Sequence, residues 1–293
     1  MIDGSTHMVG LIGWPVEHSL SPAMQNAAFD ALGLNWKYVP LPVVPGTESA
    51  SLRGLVSLGF AGANVTVPHK TTLMAGLDSV TPDAQAIGAV NTIVVRRPGE
   101  ESASVHGHNT DHSGFVDSLH AAGFEVAGAR AAVVGTGGAA RAVVFGLLTA
   151  GAADVVVLGR NVERAERLAG DLGRSAAGRL RAQPLAVDAL IESARAASLL
   201  VNATPVGMWP QEEASIWPEE VRLPSDLVVY DLVYVPRETR LLRQASGAGA
   251  TALGGLELLI EQGARAFTLW TEKEAPKEIM RRACEQAMER RFG

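Results

Sequence analysis

The chain has 293 residues, 47% hydrophobic and 19% charged, and its 25 Lys and Arg against 31 Asp and Glu leave a formal charge of −6. That length is long for one hydrophobic core, so two domains are expected, and the acidic balance excludes a dominant nucleic-acid surface, which needs an excess of clustered Lys and Arg. No apolar run approaches the roughly 20 residues that span a bilayer, no basic flank and apolar stretch open the chain, and Cys284 is the only cysteine, so a soluble cytoplasmic protein without disulfides or a multi-thiolate metal site is expected.

The first segment, MIDGSTHM, has no periodicity and stands outside the fold argument. From there short apolar runs alternate with helical patterns: VGLIG, SPAMQNAAFDALG, WKYVPLPV, LRGLVSLGF and ANVTV. This alternation is the βαβ signature of a parallel sheet covered by helices. The spacing predicts a helix from Pro22 to Leu32, capped by Ser21, closed by Gly33, and burying Met24, Ala27, Ala28 and Ala31 on one face. GANVTVPHK then reads as an apolar strand that stops at a proline and delivers one ammonium group, Lys70. RRPGEESAS, residues 96–104, reads as a hairpin or surface loop at the edge of this first unit.

GHNTDHSGFVDSL places Asp111 at the head of an amphipathic helix where the first unit hands over to a second. A residue at such a junction faces the cleft that ligands favour, which makes Asp111 the candidate partner of Lys70. Alternate residues of a strand point the same way, so a metal site from His106, His108, Asp111 and His112 is the rival arrangement. The second unit carries its own strands, AAVVG, DVVVL, SLLVNA, LVVYDL and ATAL, with helical segments between them, the pattern of a doubly wound sheet. After Gly254 the pattern is helical to the end, and these last helices are expected to pack back on the first unit. The expected division is 1–110 with 255–293, and 111–254.

AAVVGTGGAARAVVFGLL sets Gly135, Gly137 and Ala140 in the spacing G-x-G-x-x-A, with Gly138 and Ala139 in the same turn, after a strand and before a helix. Glycines let backbone approach a pyrophosphate closely, and free N–H groups at the helix N-terminus favour its charge. An NAD site would put Asp or Glu at the end of the following strand. Here that strand runs into Gly159, Arg160 and Asn161, with Arg164 one helical turn further on. Two guanidiniums can grip a ribose phosphate and stack on adenine, so NADP is the expected cofactor.

GWPVEHSLSPAMQNAAF, NVTVPHK, GAVNT, GHNTD, VVGTGGAARAV, VNATPVGM, YDLVYVPRETRLL and GGLELLIEQGARAF, in this order, resemble the shikimate dehydrogenase (shikimate/quinate dehydrogenase) family along nearly the whole chain. The resemblance implies an α/β fold of two domains. The substrate would be held by the N-terminal domain and the final helices, and NADP by a Rossmann-like, doubly wound middle domain. It implies that Ser19 and Ser21 hold a substrate carboxylate and that Thr66, Asn91, Asp111 and Gln262 hold ring hydroxyls. Tyr234 would also touch the substrate. Lys70 and Asp111 would form the catalytic centre, and Asn202, Thr204, Met208 and Gly255 would lie along the cofactor. Ser19 and Ser21 are two apart before a helix N-terminus, so both hydroxyls can serve one anion.

Two residues depart from the family pattern: Glu257 beside the start of the substrate-facing helix, and Gly159 where an asparagine often precedes the clamp arginine. The implied reaction is reversible hydride transfer between NADPH and 3-dehydroshikimate, with Lys70 able to give a proton to the carbonyl oxygen and Asp111 to orient the ammonium, while the sequence leaves open which of the two moves the proton or whether they act as a unit. Quinate or an aminoshikimate as substrate, and a non-catalytic sensor of NADP or shikimate, are the alternatives. The sequence leaves monomer or homodimer open.

Overall fold

The structure is a computed structural model describing residues 2–99, 102–173 and 178–292. It divides into two units, Met1–Thr110 with Leu259–Gly293, and Asp111–Leu258. The second crossing falls inside a helix rather than at 255, because Leu258 of that helix's first turns is buried in the core of the second unit.

Unit 1 contains β1 (His7–Gly13), α1 (Ser21–Ala31), β2 (Trp36–Pro42), α2 (Glu48–Ser57), β3 (Gly62–Val65), a 3-10 helix (Thr72–Gly76), β4 (Ser79–Val80), α3 (Pro82–Ile87), β5 (Thr92–Gly99) and β6 (Ser102–His108). They form one sheet in the order β2-β1-β3-β5-β6-β4. β1 is parallel to β2 and β3, but β5 is antiparallel to both β3 and β6. The expected all-parallel sheet is therefore mixed: β5 and β6 are consecutive strands of a hairpin, and a short turn can only join antiparallel neighbours. The hairpin also lies inside the sheet, between β3 and β4, rather than at its edge. Residues 100–101, between its two strands, lie outside those described.

The α1 helix differs in detail from expectation. Leu20, not Ser21, is the N-cap, and Ser21 is the buried first helical residue, its N–H donating to Ser19 Oγ at 3.2 Å. The buried stripe is Ser21, Met24, Gln25, Ala28 and Phe29, while Ala31 is exposed. α10 (Lys277–Phe292) packs along α1, and Gln25 Nε2 donates to the Gly263 carbonyl at 2.9 Å, so this face is set by its helical neighbours. Gly263 belongs to α9 (Leu256–Thr271), whose Trp270 Nε1 donates to the Ile93 carbonyl of β5 at 2.9 Å. A Cβ on Gly62 would overlap both that carbonyl and the indole, so glycine is what lets α9 dock against β3 and β5.

Unit 2 contains α4 (Asp111–Ala121), β7 (Arg130–Val134), α5 (Gly138–Thr149), β8 (Asp154–Gly159), α6 (Val162–Gly173), β9 (Leu180–Pro184), α7 (Val187–Ala196), β10 (Leu199–Asn202), β11 (Val228–Asp231), α8 (Arg240–Ala248) and β12 (Thr251–Gly254). All strands are parallel, in the order β12-β11-β10-β7-β8-β9. The first strand, β7, lies between β8 and β10, so the winding reverses there, as in a Rossmann-type doubly wound sheet. Alternate residues supply the two faces. Ala131, Val133, Val155, Val157 and Val201 pack under α4, α5 and α6. Ala132, Val134, Val156, Leu158 and Leu200 pack with Leu190 of α7 and Leu241 of α8. The strand β9 was not anticipated: LRAQP is a half-exposed edge strand with little apolar signal.

One charge is buried in this apolar layer. Asp231 ends β11, and burial pushes its carboxyl up from 3.8 to about 6, against the pull of bonds from Thr239, Val233 and Asn202.

Two predictions follow from this packing. Gly62→Ala should lower the unfolding free energy by about 2–4 kcal/mol, read from denaturant midpoints, since either the Trp270 bond or the strand must give way. The raised carboxyl of Asp231 means the native state binds the extra proton between pH 3.8 and about 6. Its contribution is full below that window and lost as pH rises through it, about 3 kcal/mol in all. Asp231→Asn should remove this segment from a plot of stability against pH; an unchanged slope would refute the buried charge.

Candidate active site

In unit 1 the candidate side chains leave the sheet at a single end. β1, β3 and β6 run the same way and β5 runs against them, so the ends of the first three and the start of β5 lie together. Ser19 and Ser21 follow β1, Thr66 to Lys70 follow β3, Asn91 precedes β5, and Asn109 and Thr110 follow β6. Backbone bonds stitch these segments to one another: Thr66 N to Ile12 O at 2.8 Å, Val65 N to Asn91 O at 2.8 Å, Val90 N to Lys70 O at 2.7 Å, and Asn91 N to His108 O at 3.0 Å.

Asn91 is the hub of this end. Its Oδ1 accepts the Thr110 N–H at 2.7 Å and the Thr92 hydroxyl at 3.1 Å, while its Nδ2 donates to Thr110 Oγ1 at 2.9 Å and Gln262 Oε1 at 3.2 Å. Beneath it Asn64 Nδ2 donates to Thr92 Oγ1 at 3.0 Å, and Asn64 Oδ1 accepts the Tyr38 hydroxyl at 2.9 Å. The structure thus brings together Asn91 and Gln262, 171 residues apart, in a buried polar network. Gln262 Nε2 meanwhile donates to the Leu259 carbonyl of its own helix at 2.8 Å, which holds the side chain along α9. Glu257 stands in the first turn of the same helix, where an acid is favoured by the free N–H groups.

Lys70 and Thr66 are half-buried on the segment after β3. The residue before the lysine, His69, is fully buried, with Nδ1 2.9 Å from Glu48 Oε1 and Nε2 2.8 Å from the Val43 carbonyl oxygen. Glu48 is held below the usual carboxylate range by a bond from its own backbone N–H and then by His69. His69 and Glu48 therefore anchor the backbone that carries Lys70, a role that VPHK signalled only by placing a histidine beside the lysine.

Asp111 is the buried first residue of α4 and of unit 2. Among the described residues no three His, Cys, Asp or Glu side chains sit together as metal ligands. His106 directs its ring nitrogens to the hydroxyls of Ser79 at 2.6 Å and Ser104 at 2.7 Å, and burial lowers the pKa of His108, assisted by Arg96.

In unit 2 the candidate residues sit beyond the carboxyl ends of the parallel strands, where ligands of such sheets bind. Gly135 adopts φ +126, and a Cβ there would lie 2.8 Å from the Ala203 carbonyl oxygen, so both its dihedral and its neighbour demand glycine. Gly137 caps α5 in an extended conformation, and a Cβ on it would meet no protein atom within 4 Å. Gly138 and Ala139 open the helix behind it. This leaves an open face of backbone at a helix N-terminus, the form of a phosphate cradle.

Arg160 and Arg164 are exposed, and among the described residues neither guanidinium has a hydrogen-bonding or ionic partner. Asn161 Oδ1 accepts the Arg164 N–H at 2.9 Å and so starts α6. The departure at Gly159 has a steric cause: a Cβ there would stand 2.7 Å from the Thr136 methyl group.

Asn202 is buried with its amide wholly engaged. Nδ2 donates to Asp231 Oδ1 at 2.9 Å and Val206 O at 3.1 Å, and Oδ1 accepts the Thr204 N–H at 3.1 Å and hydroxyl at 2.6 Å. Through these bonds it shapes the turn after β10. Thr204 is half-buried and Met208 is 43% exposed on that turn. Tyr234 is half-buried after β11, and a Cβ on Gly255 would overlap the Leu232 carbonyl beside it. Asp231 and Thr239 were missed from sequence, where the only signal is one acid inside LVVYDL.

Three family signatures match the chain. A family signature described as the shikimate dehydrogenase substrate binding domain matches residues 11–93, one for shikimate / quinate 5-dehydrogenase matches 118–217, and the shikimate 5'-dehydrogenase C-terminal domain matches 255–285. The chain is 47% identical to the shikimate dehydrogenase (NADP(+)) of Methanopyrus kandleri over 96% of each chain. It is similar to the solved shikimate 5-dehydrogenase of Thermus thermophilus in complex with NADP(H) and shikimate, at 40% identity and TM-score 0.84, covering 96% of this chain and 100% of that one. A quinate dehydrogenase of Corynebacterium glutamicum in complex with NAD is also similar, at 32% identity and TM-score 0.84, covering 96% and 99%. Matched by signatures in both units and by relatives along its whole length, the chain belongs to the shikimate dehydrogenase family.

Proposed function

We propose that the chain catalyses the reversible NADP-dependent reduction of 3-dehydroshikimate to shikimate. The observation that carries this reading is the gathering of Ser19, Ser21, Thr66, Lys70, Asn91 and Thr110 at one end of the first sheet, with Gln262 bonded to Asn91 there. Such an array of hydroxyls, amides and one ammonium suits a small ring bearing several hydroxyls and a carboxylate. Unit 1 with the final helices is read as the substrate domain and unit 2 as the cofactor domain. The names of the relatives support the same substrate and cofactor.

The residues of unit 2 fit NADP. The positive φ of Gly135, the open face at Gly137 and the two unpartnered guanidiniums of Arg160 and Arg164 suit a pyrophosphate and a ribose phosphate. Bound there, NADPH supplies the hydride. Lys70 supplies the proton where charge develops on the carbonyl oxygen, and Asp111 orients the ammonium and accepts a bond from the adjacent ring hydroxyl. Asn91 and Gln262 exchange their mutual bond for ring hydroxyls, and Ser19 and Ser21 take the carboxylate at the start of α1. Tyr234 completes the substrate contacts. Thr204, Met208 and Gly255 border the cofactor, and Asn202 acts on it through the turn it shapes.

A cytoplasmic setting is supported by the single cysteine, Cys284, which is buried in α10 with its thiol pushed up to about 12 by burial. Among the described residues no helix is long and apolar enough to cross a membrane. Sedimentation separates monomer from homodimer.

The direct test follows NADPH absorbance when the protein meets shikimate and NADP, with quinate and NAD run beside them. Rapid turnover confined to shikimate and NADP is expected; turnover of quinate with NAD in its place would move the chain to that branch, and binding without turnover would make it a sensor. Lys70→Ala should lower kcat by about 10²–10⁴-fold with the KM for shikimate nearly unchanged. Near-normal turnover in that variant would remove the lysine from the chemistry.

A further inference from the structure

We infer that Asp231 is the positioning residue for the cofactor side of unit 2: its carboxylate sets the turn that follows β10 and, through it, the backbone offered to the dinucleotide. This rests on the reading of unit 2 as an NADP domain.

The carboxylate receives three donors from three separate segments. Asn202 Nδ2, at the end of β10, donates to Oδ1 at 2.9 Å; the Val233 N–H, just past β11, donates to the same oxygen at 3.1 Å; and the Thr239 hydroxyl, the N-cap of α8, donates to Oδ2 at 2.7 Å. Asp231, Asn202 and Thr239 are all fully buried, so none of these bonds can be replaced by water. An ionised carboxylate accepts without donating, which matches this set of three donors.

From Asp231 the restraint reaches the binding face in two short steps. Asn202, held through its amide nitrogen, uses its oxygen to fix Thr204 by two bonds, and Thr204 Oγ1 in turn accepts the Val206 N–H at 3.2 Å. The residue between them, Ala203, places its carbonyl oxygen where it would stand 2.8 Å from a Cβ on Gly135, so the turn closes over the glycine loop. On the other side, Val233 accepts the Gly255 N–H at 3.2 Å, and the Trp209 N–H donates to the Val235 carbonyl at 3.0 Å. Loops after β10, β11 and β12 are thus tied to one buried carboxylate.

The test compares dissociation constants for NADPH and for shikimate by calorimetry, at about pH 8, where the carboxyl is ionised. Asp231→Asn keeps an oxygen for Asn202 and Val233 but turns an amide nitrogen toward Thr239. It should weaken NADPH about tenfold while shikimate affinity stays within about twofold. Thr239→Val should weaken NADPH in the same direction, Thr239→Ser should bind like the parent, and the Asp231→Asn, Thr239→Val pair should cost no more than the larger single change, because both act through one bond. Unchanged NADPH affinity in folded Asp231→Asn, or equal loss for both ligands, would overturn the inference. If Asp231→Asn does not fold, the Thr239 pair decides: equal NADPH binding by Val and Ser overturns it. A parent protein that binds shikimate and not NADPH would instead overturn the cofactor reading itself, and this inference with it.

Discussion

A polar side chain removed from water must find its hydrogen bonds inside the protein, and each unit has built the mouth of its sheet around one such group. In unit 1 it is the amide of Asn91, in unit 2 the carboxylate of Asp231. Either group left unsatisfied would cost about 1–3 kcal/mol or more, so the loops around it have few alternative arrangements. Both sit where strands end and loops begin. Apolar packing holds the strands, and these polar hubs specify how the loops leave them.

The two hubs differ in what a ligand does to them. Gln262 reaches Asn91 from α9, and both of its polar ends are engaged by protein, one by Asn91 and one by the Leu259 carbonyl. If a polyhydroxylated ring binds there as proposed, it replaces such bonds with equivalent ones, and selectivity then comes from the match of donors and acceptors rather than from bulk. Asp231 is closed off on all sides and meets no such exchange. On the proposed reading, the substrate side is built of side chains that trade partners on binding, and the cofactor side of backbone held in advance.

Much of this was legible along the chain, for stated reasons. Runs such as AAVVG and DVVVL alternate between two covered faces, and the glycine turn follows its strand directly, so unit 2 announces itself. β9 stayed hidden because an edge strand needs little apolar surface. The Ser21 cap failed because Ser19 is the serine whose hydroxyl accepts in the turn before the helix. The expected face of α1 was displaced toward Gln25 and Phe29 because α9 and α10, more than two hundred residues away, decide which side is covered. Likewise Asn91 can be singled out in GAVNT, but nothing local says that its partner is Gln262, and nothing in VNATP says that Asn202 bonds Asp231 in another strand.

The contact between Gly159 and Thr136 bears on how the coenzyme preference could change over time. An acid at the end of β8 is the usual route to NAD, yet the first position available for it is closed by the methyl group of the glycine loop. A side chain at 159 would press on that methyl group and stand 3.1 Å from the Asn161 carbonyl oxygen and 3.2 Å from the Ala165 Cβ, so an acid there requires its neighbours to shift. On the reading of Arg160 and Arg164 as the phosphate clamp, the residue beside them that carries no charge restrains the same choice through packing alone.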